Sequence, residues 1–368
     1  MYREVSQLLL YSNLGEDSIL RQLSGIFSDW AHGECEKPVL VSRIYQQVKR
    51  LLDLATRYGF NCNLWHDYLT FVLMMNENSF SLTCERVGAS DGSVNHFDFA
   101  PIEQDLGIDC FTVLENYTAI PKKAQMYYRT VSEKVRALSA AIAGAKDENE
   151  IFDLVTAHYR DCGVGMFGLN RAFRIQEDEN GSFTLNAINN IDSVLLSDLI
   201  GYEPQKKELR QNTEAFVSGR AANNVLLYGD AGTGKSTVKA ILNEYADRGL
   251  RMIEIYKHQF GLLSQVIAKI KNRNYRFMIF IDDLSFEEHE VEYKFLKAVI
   301  EGGVETRPAN VLIVATSNRR HLVQETWKDR DDMEHNGDIH RSDTMEEKLS
   351  LAARFGCAIC YVSPNRQQ

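Results

Sequence analysis

The sequence predicts an α/β protein in which a five-stranded parallel sheet, sandwiched by helices, follows a mixed α+β N-terminal domain. Three observations lead there. From about residue 191 onward, five short apolar runs alternate with helical stretches. A glycine-rich, lysine-bearing loop joins the first run to the helix after it. Before residue 190, two turn signals are each flanked by β-forming runs. At 368 residues the chain has room for two domains, which we place at 1–190 and 191–368.

In order along the chain, the start "MYREVSQLLLYSNLGED" has one early arginine and a short apolar patch closed by Glu16 and Asp17. It reads as the beginning of an amphipathic helix and makes a poor signal peptide. Leu40, Ile44, Val48, Leu51, Leu52 and Ala55 recur at helical spacing, predicting a helix from about Val39 to Tyr58. "SFSLTCERV" and "HFDFA" flank a turn at Asp91-Gly92 and predict a hairpin. Helices follow near Gln125–Ala145 and Glu148–Asp161, the second ended by Gly163. "AFRIQ" and "SFTLNAI" flank Asn180-Gly181, the strongest hairpin signal in the chain. His32, His66, His96 and His158 are isolated, with no catalytic spacing. This half reads as a recognition or assembly module.

The five later runs are "NVLLYG", "RMIEIY", "RFMIFID", "NVLIVATS" and "CAICYV". Most are continuous rather than alternating, as in parallel strands covered on both faces. With "GKSTVKAILNEYADRG" and "FEEHEVEYKFLKAVIEGG" between them, they describe a doubly wound domain.

The formal net charge is −10, which argues against wholesale coating of nucleic acid. Residues 1–190 carry 17 basic and 25 acidic groups, a net of −8, and residues 325–347 carry 3 and 9, a net of −6. The remainder is therefore +4, a sign that suits a polyphosphate. No apolar run has the length of a membrane-spanning helix. Seven scattered cysteines suit a reducing compartment, so a cytoplasmic protein without a membrane partner is expected. Cys357 and Cys360 lie inside an apolar run, where positions i and i+3 face opposite sides of a strand; they read as core thiols and not as a metal or redox pair.

Gly229, Asp230, Ala231, Gly232, Thr233, Gly234, Lys235 and Ser236 satisfy every fixed position of G-x-x-x-x-G-K-[ST], with Thr237 following. The motif follows a predicted strand and opens a predicted helix. Its glycines let backbone N–H groups converge on phosphate oxygens, and the helix terminus adds its positive end. Lys235 would reach the β- and γ-phosphates, and the Ser236 hydroxyl would ligate Mg²⁺. In "RFMIFIDDLSF" an apolar strand runs into Asp282, a carboxylate suited to the same metal, and Asp283 stands where a water-polarising group is needed. "NVLIVATSN" ends at Asn318, whose amide can orient an attacking water.

Together these motifs resemble those of the AAA+ ATPases. The wording "LSDLIGYEPQK", "NNVLLYGDAGTGKS", "FIDDLSFE", "YKFLKAVIEGGVETRPANVLIVATSNRRHL" and "EEKLSLAARFG" resembles one bacterial AAA+ family known only as a domain of unknown function. The likeness is close over 190–368 and looser before it, through "GVGMFGLNRAFRI". The Asp-Asp pair is similar to that of helicase loaders and transposition ATPases. The resemblance implies ATP and Mg²⁺ as ligands, Ile200 and Gly201 along the adenine, and Arg354 as a finger completing a neighbour's site in a homo-oligomeric ring or dimer. Arg319 and Arg320 compete for that role. Asp283 replaces the commoner glutamate and has the shorter reach, so slow hydrolysis is expected. A helical lid follows the fifth strand in such proteins; here the sequence ends at "SPNRQQ", and the lid is expected to be missing.

Three functions compete: an ATPase that remodels a protein or nucleoprotein partner bound through residues 1–190, a protein-threading unfoldase, and a nucleotide-dependent scaffold or switch. A threading loop needs an exposed aromatic after the second strand, but Phe260, Leu262, Leu263 and Val266 in "KHQFGLLSQVI" fit one helix face, which predicts core packing. The first function is favoured. Nucleic acid as a partner has no basic stripe to support it.

Overall fold

The computed structural model describes residues 2–6, 8, 11–87, 129–177, 181–229, 233–286, 292–301, 308–318, 351 and 353–361. The chain divides into two compact units, Met1–Asn170 and Arg171–Gln368.

Among the described residues, helices build the first unit: α1 (Tyr2–Ser6), α2 (Ile19–His32), α3 (Lys37–Tyr58), α4 (Leu64–Met75), α5 (Ser79–Val87), α6 (Arg129–Ala143), α7 (Glu148–Cys162) and α8 (Gly165–Leu169). The predicted apolar stripe of α3 is buried at Leu40, Ile44, Val48, Leu51 and Ala55, and Gly59, at φ +69°, ends the helix in the left-handed conformation. These residues share a core with Leu23, Ile26, Phe60, Leu64 and Val135. Asp147 accepts a hydrogen bond from the Glu150 N–H (2.9 Å) to start α7.

One expectation fails here. "SFSLTCERV" alternates like a strand, yet it forms α5. The cause lies one residue upstream: the Asn78 side chain accepts from the Ser81 N–H (2.9 Å) while the Ser81 hydroxyl accepts from the Asn78 N–H (3.0 Å). That reciprocal cap nucleates a helix. The helix buries Cys84 against Val155, Tyr159 and Val164, and the buried Glu85 carboxylate accepts from the Val164 N–H (2.9 Å). The Asp91-Gly92 turn and "HFDFA" lie outside the described residues.

Among the described residues, the second unit has a seven-stranded sheet of β1 (Ala172–Glu177), β2 (Phe183–Ala187), β3 (Val225–Gly229), β4 (Leu250–Ile255), β5 (Arg276–Ile281), β6 (Val311–Ser317) and β7 (Cys357–Tyr361). Its spatial order is β2-β1-β4-β5-β6-β3-β7. Five strands fall on the five predicted runs, and all five are parallel. The helices α9 (Glu203–Val217), α10 (Thr233–Tyr245), α11 (Leu263–Ile270) and α12 (Tyr293–Glu301) connect or precede them. The two strands of the predicted hairpin pair antiparallel, β1 with β2, but their place differs. β1 pairs in parallel with β4, Ala172 opposite Met252, and Arg174 donates to Glu254 at 2.5 Å. The hairpin therefore extends the sheet and lies in the compact unit that begins at Arg171. Among the described residues, then, "SFSLTCERV" is helical and the strands of the second hairpin signal join the second unit's sheet.

The sheet core is continuous and apolar, including Val225, Leu227, Met278, Leu312, Val314 and Ile359. Phe260 is buried, as expected for core packing. At the base of β3 the buried Asn224 accepts the Ile313 N–H on its side chain (3.0 Å) and the Cys357 N–H on its carbonyl (3.2 Å), tying β3 to both neighbours. Cys357 and Cys360 lie on β7, the first buried and the second partly so. Burial and the adjacent Glu208 carboxylate push the Cys357 thiol up to about 12, so it stays protonated. Among the described residues no helix is long and apolar enough to cross a membrane, and no group of three His, Cys, Asp or Glu side chains is placed to hold a metal.

In the first unit, burial, aided by the Lys134 charge, pushes the His158 imidazole down from 6.5 to about 4. Between those values the unfolded chain binds the extra proton, so stability is complete above pH 6.5 and falls as pH drops toward 4. Chemical denaturation across that pH range should show a shallower pH dependence for His158→Leu than for the unsubstituted chain; equal slopes would refute this assignment.

Candidate nucleotide-binding site

Parallel pairing brings the carboxyl ends of β3, β5, β6 and β7 to one rim of the sheet. β3 ends at Gly229, whose φ of +145° is open only to glycine and where a Cβ would overlap the Tyr361 carbonyl. Asp230, Ala231 and Gly232 lie outside the described residues. The chain resumes as α10, so Thr233, Gly234, Lys235, Ser236 and Thr237 form its first turn. The first-turn N–H groups of a helix have no acceptor within it and point outward with the positive end of the dipole. Ser236 is half-buried and Thr237 buried.

A strap before α9 is laced along α10. Lys239 pairs with Asp192 (2.6 Å), and the Asn243 amide donates to the Asp192 and Val194 carbonyls (2.8 and 2.7 Å). Glu244 accepts from the Leu196 N–H (3.3 Å) and from Arg210 (3.0 Å). The strap delivers Leu199–Tyr202 to the same rim. Buried Lys206 donates to the Leu199 carbonyl and pairs with Glu203 (2.9 Å), while Gly201 and Tyr202 both take positive φ (+79° and +59°). The turn leaves Ile200 96% exposed, an apolar side chain presented to solvent. The Tyr202 ring lies 5.1 Å from that of Tyr361. Burial raises the Tyr361 phenol above its ordinary value, opposed by the nearby Thr237 side chain. The strap, the first turn of α10 and the end of β7 thus meet.

Across β6 lies the second cluster. The Thr316 hydroxyl donates to Asp282 Oδ1 (2.7 Å) and accepts the Asp283 N–H (2.9 Å). Asn318 Nδ2 donates to Asp283 Oδ1 (3.0 Å), and the Leu284 N–H donates to the Thr316 carbonyl (2.7 Å). Asp283 has φ +51°, a left-handed conformation uncommon outside glycine. The acidic pair and Asn318, chosen from separate motifs, are therefore neighbours.

Arg354 is not among them. Cys357 pairs with Val225 at the start of β3, and Tyr361 with Gly229 at its end. Arg354 precedes Cys357 and stands exposed on the opposite rim, about 15 Å away for five strand residues. Arg319 and Arg320 lie outside the described residues. Sequence reasoning missed Thr316, Lys206 and Tyr361.

Numbered in chain order, the five parallel strands run 5-1-4-3-2 across the sheet. With the glycine-lysine loop after strand 1 and the acidic pair after strand 3, this is a P-loop NTPase fold of AAA+ type. The chain belongs to the family described as "Protein of unknown function (DUF815)", which matches residues 169–368.

Among solved structures, the Thermotoga maritima RuvB Holliday junction branch migration motor is 19% identical over 45% of this chain and 47% of its own, with a TM-score of 0.30. A point mutant of the same RuvB is 20% identical over 45% and 48%, with a TM-score of 0.31. DnaI is 20% identical over 47% and 90%, with a TM-score of 0.32. The chain thus spans about half the length of the RuvB structures it matches. No curated protein matches the chain.

Gly229→Ala must move either the cradle strand or the end of β7. It should lower the stability of the second unit by about 3 kcal/mol, read by chemical denaturation. A change below about 0.5 kcal/mol, the range of ordinary surface substitutions, would contradict the close approach.

Proposed function

We propose that this chain binds Mg²⁺–ATP on the β3–β6 rim, hydrolyses it slowly, and uses the cycle to remodel a protein or nucleoprotein partner. The observation that carries the proposal is that parallel pairing brings the ends of β3, β5 and β6 to one rim, and with them the three sequence motifs that hold Ser236, Asp282, Asp283 and Asn318. The donors offered to a cation, the Ser236 hydroxyl and the Asp282 carboxylate, are hard oxygens that suit Mg²⁺. When bound, Mg²⁺ would neutralise phosphate charge.

The chain's own groups divide the remaining work. The backbone from Gly229 to Thr237, with Lys235, grips the phosphates. Ile200 and Gly201 lie along the base, giving the exposed Ile200 a face to cover. Asp283 accepts the proton of the attacking water as it adds to the γ-phosphorus and ADP leaves, and Asn318 orients that water. Arg354, too far from its own cradle, serves a neighbouring copy, which requires a homo-oligomer. The N-terminal part, set at 1–190 by sequence, holds the partner.

A specific observation favours a second reading, a slowly cycling nucleotide switch. Asn318 already donates to Asp283 Oδ1 at 3.0 Å, so one oxygen of the water-polarising carboxylate starts out engaged.

Lys235→Ala should weaken ATP binding by about 100-fold in isothermal titration without unfolding the chain; unchanged affinity would overturn the proposal. Neither Arg354→Ala nor Lys235→Ala should turn over ATP alone, and mixing the two should restore part of the activity. No recovery from assembled mixtures would remove Arg354 from the site.

A further inference from the structure

Thr316 lies inside "NVLIVATSN", beside the motif residues and without a role among them. Thr316 is 6% exposed, and its hydroxyl sits between the two consecutive acidic residues. A hydroxyl has one proton to donate. That proton goes to Asp282 Oδ1 (2.7 Å), so toward the Asp283 N–H (2.9 Å) the oxygen acts as acceptor. The Thr316 carbonyl takes the next N–H, from Leu284 (2.7 Å). These contacts hold the turn that puts Asp283 at φ +51°. The turn parts the acids: Asp282 meets the Thr316 hydroxyl, while the Asp283 side chain meets Asn318 (3.0 Å).

We infer that Thr316 is a positioning residue, whose hydroxyl sets Asp282 for the metal and, through the backbone, Asp283 for the attacking water. This rests on the nucleotide reading above. Valine has nearly the shape of threonine but can make neither side-chain bond, whereas serine can make both. A partner that orients a metal-binding carboxylate is worth about 10–100-fold in metal affinity or activity.

The test uses the full chain with Thr316→Val and Thr316→Ser, ADP as nucleotide and Mn²⁺ as metal. Calorimetry in EDTA measures ADP affinity without metal, and electron paramagnetic resonance measures Mn²⁺ binding to the protein–ADP complex. Thr316→Val should bind ADP in EDTA like the unsubstituted chain yet lose about 10–100-fold in Mn²⁺ affinity, with Thr316→Ser within about threefold of the original. Unchanged Mn²⁺ affinity in Thr316→Val, or a Thr316→Ser variant about tenfold or more weaker, would overturn the inference. The serine arm decides alone if the valine variant does not fold. Failure of the unsubstituted chain to bind ADP would sink the nucleotide reading and this inference with it. Normal binding there, with an indifferent valine variant, would sink only the role of Thr316.

Discussion

Parallel pairing sends the carboxyl ends of β3, β4, β5, β6 and β7 to the same rim, and the candidate site exists only because β3, β5, β6 and β7 end there in register. β6 is the pivotal member. It separates the cradle strand from the acidic strand by one strand width, about 4.8 Å on either side, leaving room for a phosphate chain between Gly229 and Asp282. Asn224 fixes that spacing from below by bonding β6 through its side chain and β7 through its carbonyl. An apolar residue at 224 would leave the buried Ile313 N–H without this acceptor, a loss worth about 1–3 kcal/mol.

The rim carries polar groups that a buried sheet cannot tolerate unpaired, and each cluster satisfies them differently. On the acidic side, the Thr316 hydroxyl donates to Asp282 and accepts the Asp283 N–H, and Asn318 donates to the Asp283 carboxylate. On the other side, Lys206 is buried against the Leu199 carbonyl and Glu203, and Lys239, Asn243 and Glu244 tie the strap to α10. Two buried atoms there, Tyr361 Oη and Asn243 Oδ1, have no hydrogen-bond partner among the described residues, and the apolar Ile200 is held out in solvent by a turn with two successive residues at positive φ. Conformations of that kind are costly and persist where surrounding contacts impose them.

Much of the second unit was legible because its signals are local. Continuous apolar runs marked all five parallel strands, since strands covered on both faces need no polar alternation. Asp282, Asp283 and Asn318 were recognisable because a polar residue directly after such a run must stand at a strand's end. Long-range facts were not legible. Asn180-Gly181 announced a hairpin, but nothing local announced that β1 would pair with β4. The alternation of "SFSLTC" was outweighed by one reciprocal cap between Asn78 and Ser81. Thr316 looked like any β-branched strand residue, and its role appears only when β5 and β6 lie side by side. Arg354 was placed correctly just before the fifth strand; its location on the far rim follows from the register of β7 on β3.

The central claim is that this rim holds a metal–nucleotide complex. A crystal structure of the chain grown with ADP and Mn²⁺, with data collected at the manganese absorption edge, tests it most directly. The account predicts the diphosphate against the first turn of α10 and an anomalous peak between Ser236 and Asp282. Nucleotide density elsewhere on the chain, or a manganese peak away from both side chains, would contradict it.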